Sequence, residues 1–340
     1  MATDSPTLVT GATGFVGSAV ARALARRGHR LRLLARAGSD RRNIDGLDAE
    51  IAIGDLADPA SLARAAAGCR FVFHLAADYR IWVPDPAAML RANVDGTVAM
   101  LRAAQAAGVE RIVYCSSVAA LGLTADGAPA DEITPVDPDH IVSIYKQSKY
   151  LAERAARDLV RQGAPVVIVN PAAPVGPRDI KPTPTGRMIL DAAAGRTPAY
   201  VDTGLNIVHV DDVAEGHILA LERGAIGEGY ILGGENLSLR DLLGLVAEAA
   251  GRAPPRIRLP IGAVWPAALA MEAAARLFGG EPRVSRDYLR MARKRMFFSS
   301  AKAEAALGYA PRPARLAVAD ALAWFHASGM LSGAPRRQAA

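Results

Sequence analysis

At 340 residues, with 51% hydrophobic and 22% charged side chains, the chain is globular in composition and long enough for one large α/β domain with a smaller companion. A net charge of +6 and a pI near 9.5 admit an anionic small molecule, but the cations are dispersed and aromatics reach only 5%, which argues against nucleic-acid binding. Two cysteines, Cys69 and Cys115, make neither a disulfide framework nor a metal-ligand pattern, so a reducing, cytoplasmic setting without a metal is expected.

No secretory leader is read before the first strand-like run, "TLVT". A helix follows over Phe15 to Arg27, then the strands "RLRLLA" and "AEIAIG", the helix "SLARAAAG" and the strand "FVFHLAA". The segment "PAAMLRANVDGTVAMLRAAQAAG" reads as one long helix, "RIVYCSS" as a strand, Ser143 to Gln162 as a helix and "PVVIVNP" as a strand. Strands alternating with helices at this spacing predict a Rossmann-type doubly wound parallel sheet, whose buried strands read as continuous apolar runs. After Pro171 the Pro- and Gly-rich "NPAAPVGPRDIKPTPTG" reads as a long loop opening a substrate-binding part. "NIVHVDDVAEGHILALERG" is expected to supply a strand and helix that rejoin the sheet, and the C-terminal third is expected to be mainly helical. The predicted division is a nucleotide-binding domain over 1–170 plus about 206–223, a substrate-binding part over 171–205 and 224–331, and a disordered tail at 332–340. The longest apolar stretch starts at Leu259 and is broken by Pro266, Glu272 and Arg276, whereas a spanning helix needs about 20 nearly unbroken apolar residues. A packed helix pair is expected there, with contact to a membrane surface as the alternative.

"TLVTGATGFVGSAVARAL" is a strand, a glycine turn and a helix. Gly11, Gly14 and Gly17 let the backbone turn tightly, approach a pyrophosphate and pack the helix on its strand, with the phosphates at the helix N-terminus. The spacing GxxGxxG is one residue wider than the ordinary dinucleotide fingerprint, and its place in the first βαβ unit supports the reading. Where an NAD-preferring site carries an acid after the second strand, this chain has Arg36, with Arg41 and Arg42 nearby. A guanidinium suits a 2′-phosphate, so NADP(H) is favoured and NAD(H) stays open; the alternative is three surface arginines in an Arg-rich chain. Asp55 and Leu56 end the third strand, where an adenine could be gripped.

Tyr145 and Lys149 lie four residues apart, one turn along a helix face, in a chain with only five lysines. None of the other four lysines follows a tyrosine at that spacing. A free phenol has a pKa of about 10, and bringing it near neutrality takes roughly 4 kcal/mol of differential stabilisation. A compact ammonium with three donors could supply part of this and still bond ribose hydroxyls. Tyr145 would then give or take the proton of a carbonyl or alcohol oxygen, held by Ser117 or, alternatively, Ser116 at the end of the fifth strand.

These residues resemble the extended short-chain dehydrogenase/reductase superfamily, in its NAD-dependent epimerase/dehydratase branch. The likeness runs from "TGATGFVG" through "HLAA", "NVDGT", "SIYKQSK" and "VHVDDVA" to "AEAALGYAPRP". It implies Ser117, Tyr145 and Lys149 as catalytic residues, with Asn93 shaping the site. It also implies a cofactor set of Gly11, Thr13, Gly14, Phe15, Val16, Gly17, Arg36, Asp55, Leu56, Leu75, Ala76, Ala77, Tyr145, Lys149 and Pro171. "AADYRIWVPDP" and "VNPAAPVGPRDIKPTPTG" are similar to hopanoid-associated sugar epimerases and dihydroflavonol-4-reductase-like enzymes. A small-molecule substrate would meet Ser117, Tyr79, Arg80, Trp82, Asn170, Arg178 and Arg187.

Departures from neighbouring branches narrow the chemistry. Val118 and Ala119 stand where sugar-nucleotide dehydratases place Asp-Glu, which removes the acid and base for elimination. Thr203-Gly204-Leu205-Asn206 lacks the Arg by which 4-epimerases commonly hold a pyrophosphate. The leading expectation is a carbonyl reductase or alcohol dehydrogenase for a bulky substrate, then an epimerase acting by transient oxidation, then a non-catalytic NAD(P) sensor. Tyr79, Arg80 and Trp82 could equally form a packed loop, His74 reads as structural, and one of Asp211 and Asp212 is expected to cap a helix. Long helices on such sheets also suggest a homodimer.

Overall fold

The computed structural model describes residues 5–83, 85–137, 141, 143–280, 282 and 284–332. The tail expected at 332–340 lies outside them beyond Ser332. Seven parallel strands form the central sheet: β1 (Thr7–Thr10), β2 (Leu31–Ala35), β3 (Ala49–Ile53), β4 (Phe71–His74), β5 (Arg111–Cys115), β6 (Val166–Pro171) and β10 (Gly229–Leu232), in the order β10-β6-β5-β4-β1-β2-β3. The order reverses between β1 and β4, and ligands of open α/β sheets bind beyond the strand ends at such a switch point. All residues of β1 and β6 are buried, as their unbroken apolar runs require when both faces are covered.

One face carries α1 (Phe15–Arg26) and α7 (Val210–Arg223), packed on each other over Val9, Leu33, Phe73 and Val113. The other carries α2 (Pro59–Ala66), α4 (Gly96–Ala106) and α5 (Ile144–Arg161) over Leu8, Val72, Ile112 and Ile168.

The structure corrects several expectations. The strand before α7, β9 (Gly204–His209), does not rejoin the main sheet; it pairs parallel to β7 (Ala173–Val175) and antiparallel to β11 (Glu235–Ser238). Its helix does return, and the seventh place is taken by β10, four buried residues within the span expected for substrate binding. The long loop after Pro171 contains β7 and the start of α6 (Pro184–Ala193), because Pro184 suits a first helical turn and Thr183 Oγ1 accepts the Gly186 N–H at 3.1 Å. The single long helix is α3 (Pro86–Leu90), a π turn at Arg91–Asp95, and α4.

Beyond these, β8 (Ala199–Val201) pairs with β12 (Ile257–Leu259), and α8 (Leu239–Ala249) packs with α6 and α12 (Ala314–Ala327) around Val246, Val318 and Phe325. The apolar stretch is not a helix pair but one helix, α9 (Ile261–Phe278), running through Pro266, with α10 (Arg286–Ala292) beside it and α11 (Ala301–Leu307) further on. N-terminal to Pro266 the helix is only one turn long, so a proline there disturbs little of it.

Candidate active site

The glycine turn connects β1 to α1. Gly11 has φ 71°, and a Cβ on it would stand 2.7 Å from the Ala76 backbone nitrogen, so the loop lies directly on the chain leaving β4. A Cβ on Gly17 would stand 2.1 Å from the Gly11 carbonyl oxygen. Gly14 is the N-cap of α1; it offers no capping side chain, and no acid occupies the first turn. The N–H groups of that turn therefore face the sheet edge with nothing negative of their own, as an anion site requires. Thr10 ties the loop to β4: its Oγ1 accepts from the N–H of Leu75 and of Ala76, both at 3.1 Å. Its proton is then left for His74 Nδ1 at 2.8 Å, and Nε2–H reaches Thr97 Oγ1 at 3.2 Å. Burial pushes the His74 imidazole down to about 3 and Lys149 reinforces the shift, so His74 is a neutral structural pin.

A cavity of about 340 Å³ opens beside Arg36, lined also by Ala37, Ile53, Gly54, Asp55, Ser61 and the Asp58–Arg64 pair, 3.9 Å apart. Arg36 is thus where a ribose next to the sheet edge would be met. Arg64, on α2, faces the same cavity and was not singled out from sequence, because nothing local links it to the second strand. Arg42 is spent on Asp40 at 2.6 Å. Asp55 Oδ1 accepts the Ala57 N–H at 2.9 Å, and Leu56 packs against Gly96, so this pair shapes the cavity wall through the backbone. The cradle fits a dinucleotide: a glycine turn too close for side chains, an uncapped helix start and a cavity that carries Arg36 follow one another along the strand ends.

Next to it stands the serine–tyrosine–lysine group. Ser117 leaves β5 and caps a short turn, its Oγ accepting the Ala119 N–H at 3.1 Å, and its hydroxyl stands on the side of the Tyr145 phenol. Burial raises the Tyr145 pKa above the ordinary phenol value and the neighbouring Ser117 hydroxyl opposes this. Ser116 is turned away: it is buried and donates to Glu153 Oε2 at 2.7 Å. Of the two serines, only Ser117 meets Tyr145. Lys149 is buried, and its Nζ bonds the Cys115 carbonyl at 3.3 Å; burial lowers its pKa while Glu153 opposes. From sequence, Lys149 is expected to supply part of the stabilisation of the phenolate while bonding the ribose. In this arrangement the ammonium is held by the end of β5 instead, and Ser117 is the group that favours the phenolate.

Behind the trio lies a network that the sequence reading missed. Glu153, one turn beyond Lys149, also accepts from Asn170 Nδ2 at 2.7 Å and from Arg157 at 2.7 Å. Asn170 in turn donates to the Ser117 carbonyl at 3.2 Å. Asn170, expected at the substrate, is fully buried and supports the backbone of Ser117 from inside, because alternate side chains of β6 point into the sheet's packed faces. The one signal available was a Glu on the Tyr–Lys face of α5 at one further helical turn.

Asn93 sits in the π turn, fully turned inward. Its Oδ1 accepts the Asp78 N–H at 2.7 Å, and its Nδ2 donates to the Asp78 carbonyl at 2.8 Å and to Ser148 Oγ at 2.9 Å. Ser148 stands between Tyr145 and Lys149 and donates to the Tyr145 carbonyl at 2.8 Å. Asn93 therefore couples the catalytic helix to the loop after β4 that carries Tyr79, Arg80 and Trp82. In that loop Arg80 pairs with Asp78 at 2.5 Å, and Tyr79 is exposed.

Arg178, at φ 76°, pairs with Asp211 at 2.5 Å beside α1's Arg22, and exposed Arg187 faces Asp179. The expected aspartate cap is also corrected: His209 Nδ1 accepts the Asp211 N–H at 3.0 Å and caps α7, while Asp212 holds Arg312 at 2.7 Å. Lys146, next to Tyr145, is brought down to about 8 by burial and by Lys294. Asn206, where 4-epimerases commonly place an Arg close by, is buried and donates to Asn236 Oδ1 at 2.8 Å.

The model of the NAD dependent epimerase/dehydratase family matches residues 7–233. The chain is 62% identical to the crystal structure named gox2253, with a TM-score of 0.87, covering 97% of this chain and 100% of that one. It is 42% identical over 325 residues, 94% of each chain, to a Synechocystis sp. protein named after dihydroflavonol 4-reductase. To sterol demethylase protein B of Methylococcus capsulatus it is 36% identical over 327 residues, covering 96% of this chain and 99% of that one.

Proposed function

The chain belongs to the NAD dependent epimerase/dehydratase family, and from that premise we propose that it is a reductase of the dihydroflavonol-4-reductase kind, preferring NADP(H) and acting on the carbonyl of a bulky substrate. The observation that carries the reading is the division of labour between the two serines: Ser116 is tied to Glu153 at 2.7 Å, which leaves Ser117 as the serine beside the Tyr145 phenol.

The glycine turn and the N-terminus of α1 hold the pyrophosphate, Arg36 and Arg64 meet a 2′-phosphate, and Lys149 bonds the ribose. The bound nicotinamide supplies or accepts a hydride at the substrate carbon. In reduction Ser117 and Tyr145 bind the carbonyl oxygen, and the phenol proton passes to it as the alcohol forms. Asn93, through Ser148, holds the start of α5 so that the phenol stays beside Ser117. The seven-stranded layer serves the nucleotide, and the β7–β9–β11 layer with the C-terminal helices serves the substrate. The relatives are named for a dihydroflavonol and a sterol, both bulky ring systems, which favours a wide apolar substrate over a nucleotide-sugar. The tight internal use of Asn206 supports the same choice.

The test is to purify the protein without added nucleotide, denature it and identify what is released. A reductase must exchange its cofactor each turnover, so an empty protein that binds NADPH more tightly than NADH is expected. NAD retained at close to one per chain would overturn the reading in favour of an epimerase, which returns the hydride to its own substrate.

A further inference from the structure

We propose that the α9 surface is a docking face for an anionic lipid bilayer, on which the protein lies peripherally. The proposal is independent of the reaction assigned above. A helix apolar on all sides is normally buried. α9 is apolar nearly all round, yet only Ala268, Glu272 and Ala275 are buried. Of its exposed residues Arg276 alone is charged, and its last turn ends in Leu277 and Phe278, which are 78% and 86% exposed. Leu269 and Met271 are exposed on its two flanks, and Ile257 and Leu259 of β12 are exposed close by in the chain. Exposed apolar surface of this extent marks an interaction site.

Charge selects the occupant. Residues 252–295 hold ten of the chain's 40 Arg and Lys but three of its 34 Asp and Glu, a formal +7, so the remainder of the chain sums to −1. In sequence all of these cations but Arg276 lie just before or just after the apolar helix. Arg293 lies 5.6 Å from the Trp265 ring of α9, and Asp202 links Arg258 at 3.1 Å with Arg295 at 3.8 Å, joining β12 to the 293–295 run. A second copy would bring like charge against like charge, whereas an anionic surface complements both the cations and the apolar residues between them. The helix lies on the protein rather than leaving it: buried Glu272 accepts from the Arg286 N–H at 2.6 Å and from Arg286 Nε at 2.8 Å, which holds its inner side to α10.

The experiment is co-sedimentation of the full chain with vesicles of phosphatidylcholine alone or mixed with phosphatidylglycerol. The protein should pellet with the mixed vesicles only and be released by high salt. Leu277→Ser/Phe278→Ser and Arg293→Gln/Lys294→Gln should each weaken partitioning, the latter by about fivefold for each charge removed, with thermal melting and NADPH binding unchanged. Failure to pellet with anionic vesicles, equal binding to neutral ones, or wild-type binding by both variants would overturn the proposal. So would retention through alkaline carbonate, which means a crossing helix, or a vesicle-free dimer abolished by Leu277→Ser/Phe278→Ser, which means a second copy.

Discussion

Ser116 and Ser117 are chemically identical neighbours, and their surroundings give them opposite tasks. Ser117→Ala and Tyr145→Phe are expected to lower kcat by about a hundredfold to ten-thousandfold, the span of general acid catalysis, with NADPH affinity unchanged. Ser116→Ala should leave kcat nearly intact and remove a charge-assisted bond to Glu153, costing about 1.5–3 kcal/mol in denaturant unfolding. Equal kinetic losses from the two serines would remove the assignment. Arg36 has a separate test. Arg36→Glu is expected to weaken NADPH by about tenfold to a hundredfold, the worth of one lost charge-assisted contact, while leaving NADH within a few-fold by fluorescence titration. An unchanged preference would return Arg36 to the ordinary solvated surface.

At the scale of elements, the site depends on how closely helices start beside strand ends. The missing side chain at Gly17 lets α1 begin against the Gly11 carbonyl, so Gly17→Ala must push the two apart. The variant is expected to lose about 1–3 kcal/mol of stability from overpacking, together with nucleotide binding, whereas Gly28→Ala, beyond the helix in open space, should spare binding. Isothermal titration of both separates a local clash from a general loss of fold. The π turn works in the same way: by widening one helical turn it re-aims Asn93 toward Asp78 and Ser148.

For the whole molecule, pH dependence follows from buried groups on both faces of the sheet. Burial lowers His74 to about 3 and His217 to about 4, so between those values and the ordinary 6.5 the unfolded chain binds protons that the native chain does not. Stability from these two groups is complete above 6.5 and is lost as pH falls. Asp179 acts in the opposite sense: raised to about 6 from 3.8, it gains protons in the native state across that window and favours folding as pH falls. With two groups against one, the midpoint of urea unfolding is expected to fall between pH 6.5 and 4. In the Asp179→Asn variant the fall should be steeper; a flat profile would contradict the burial of both histidines.

The glycine turn, the alternating strands and the Tyr145–Lys149 spacing were legible in sequence because each is a local pattern: a turn, an apolar run, one helical turn. Those patterns put Tyr145 and Lys149 on one helix, α5, whose start Asn93 reaches through Ser148. Sequence could not choose between Ser116 and Ser117, nor find Glu153, Asn170's supporting role or Arg64, because these depend on contacts between segments 17 to 55 or more residues apart. Only the tertiary structure assigned β10 rather than β9 to the seventh place, since both are short apolar runs and their partners lie in distant segments. It also left α9 on the surface: periodicity reports that a helix is apolar, and only packing decides which side of it the protein covers.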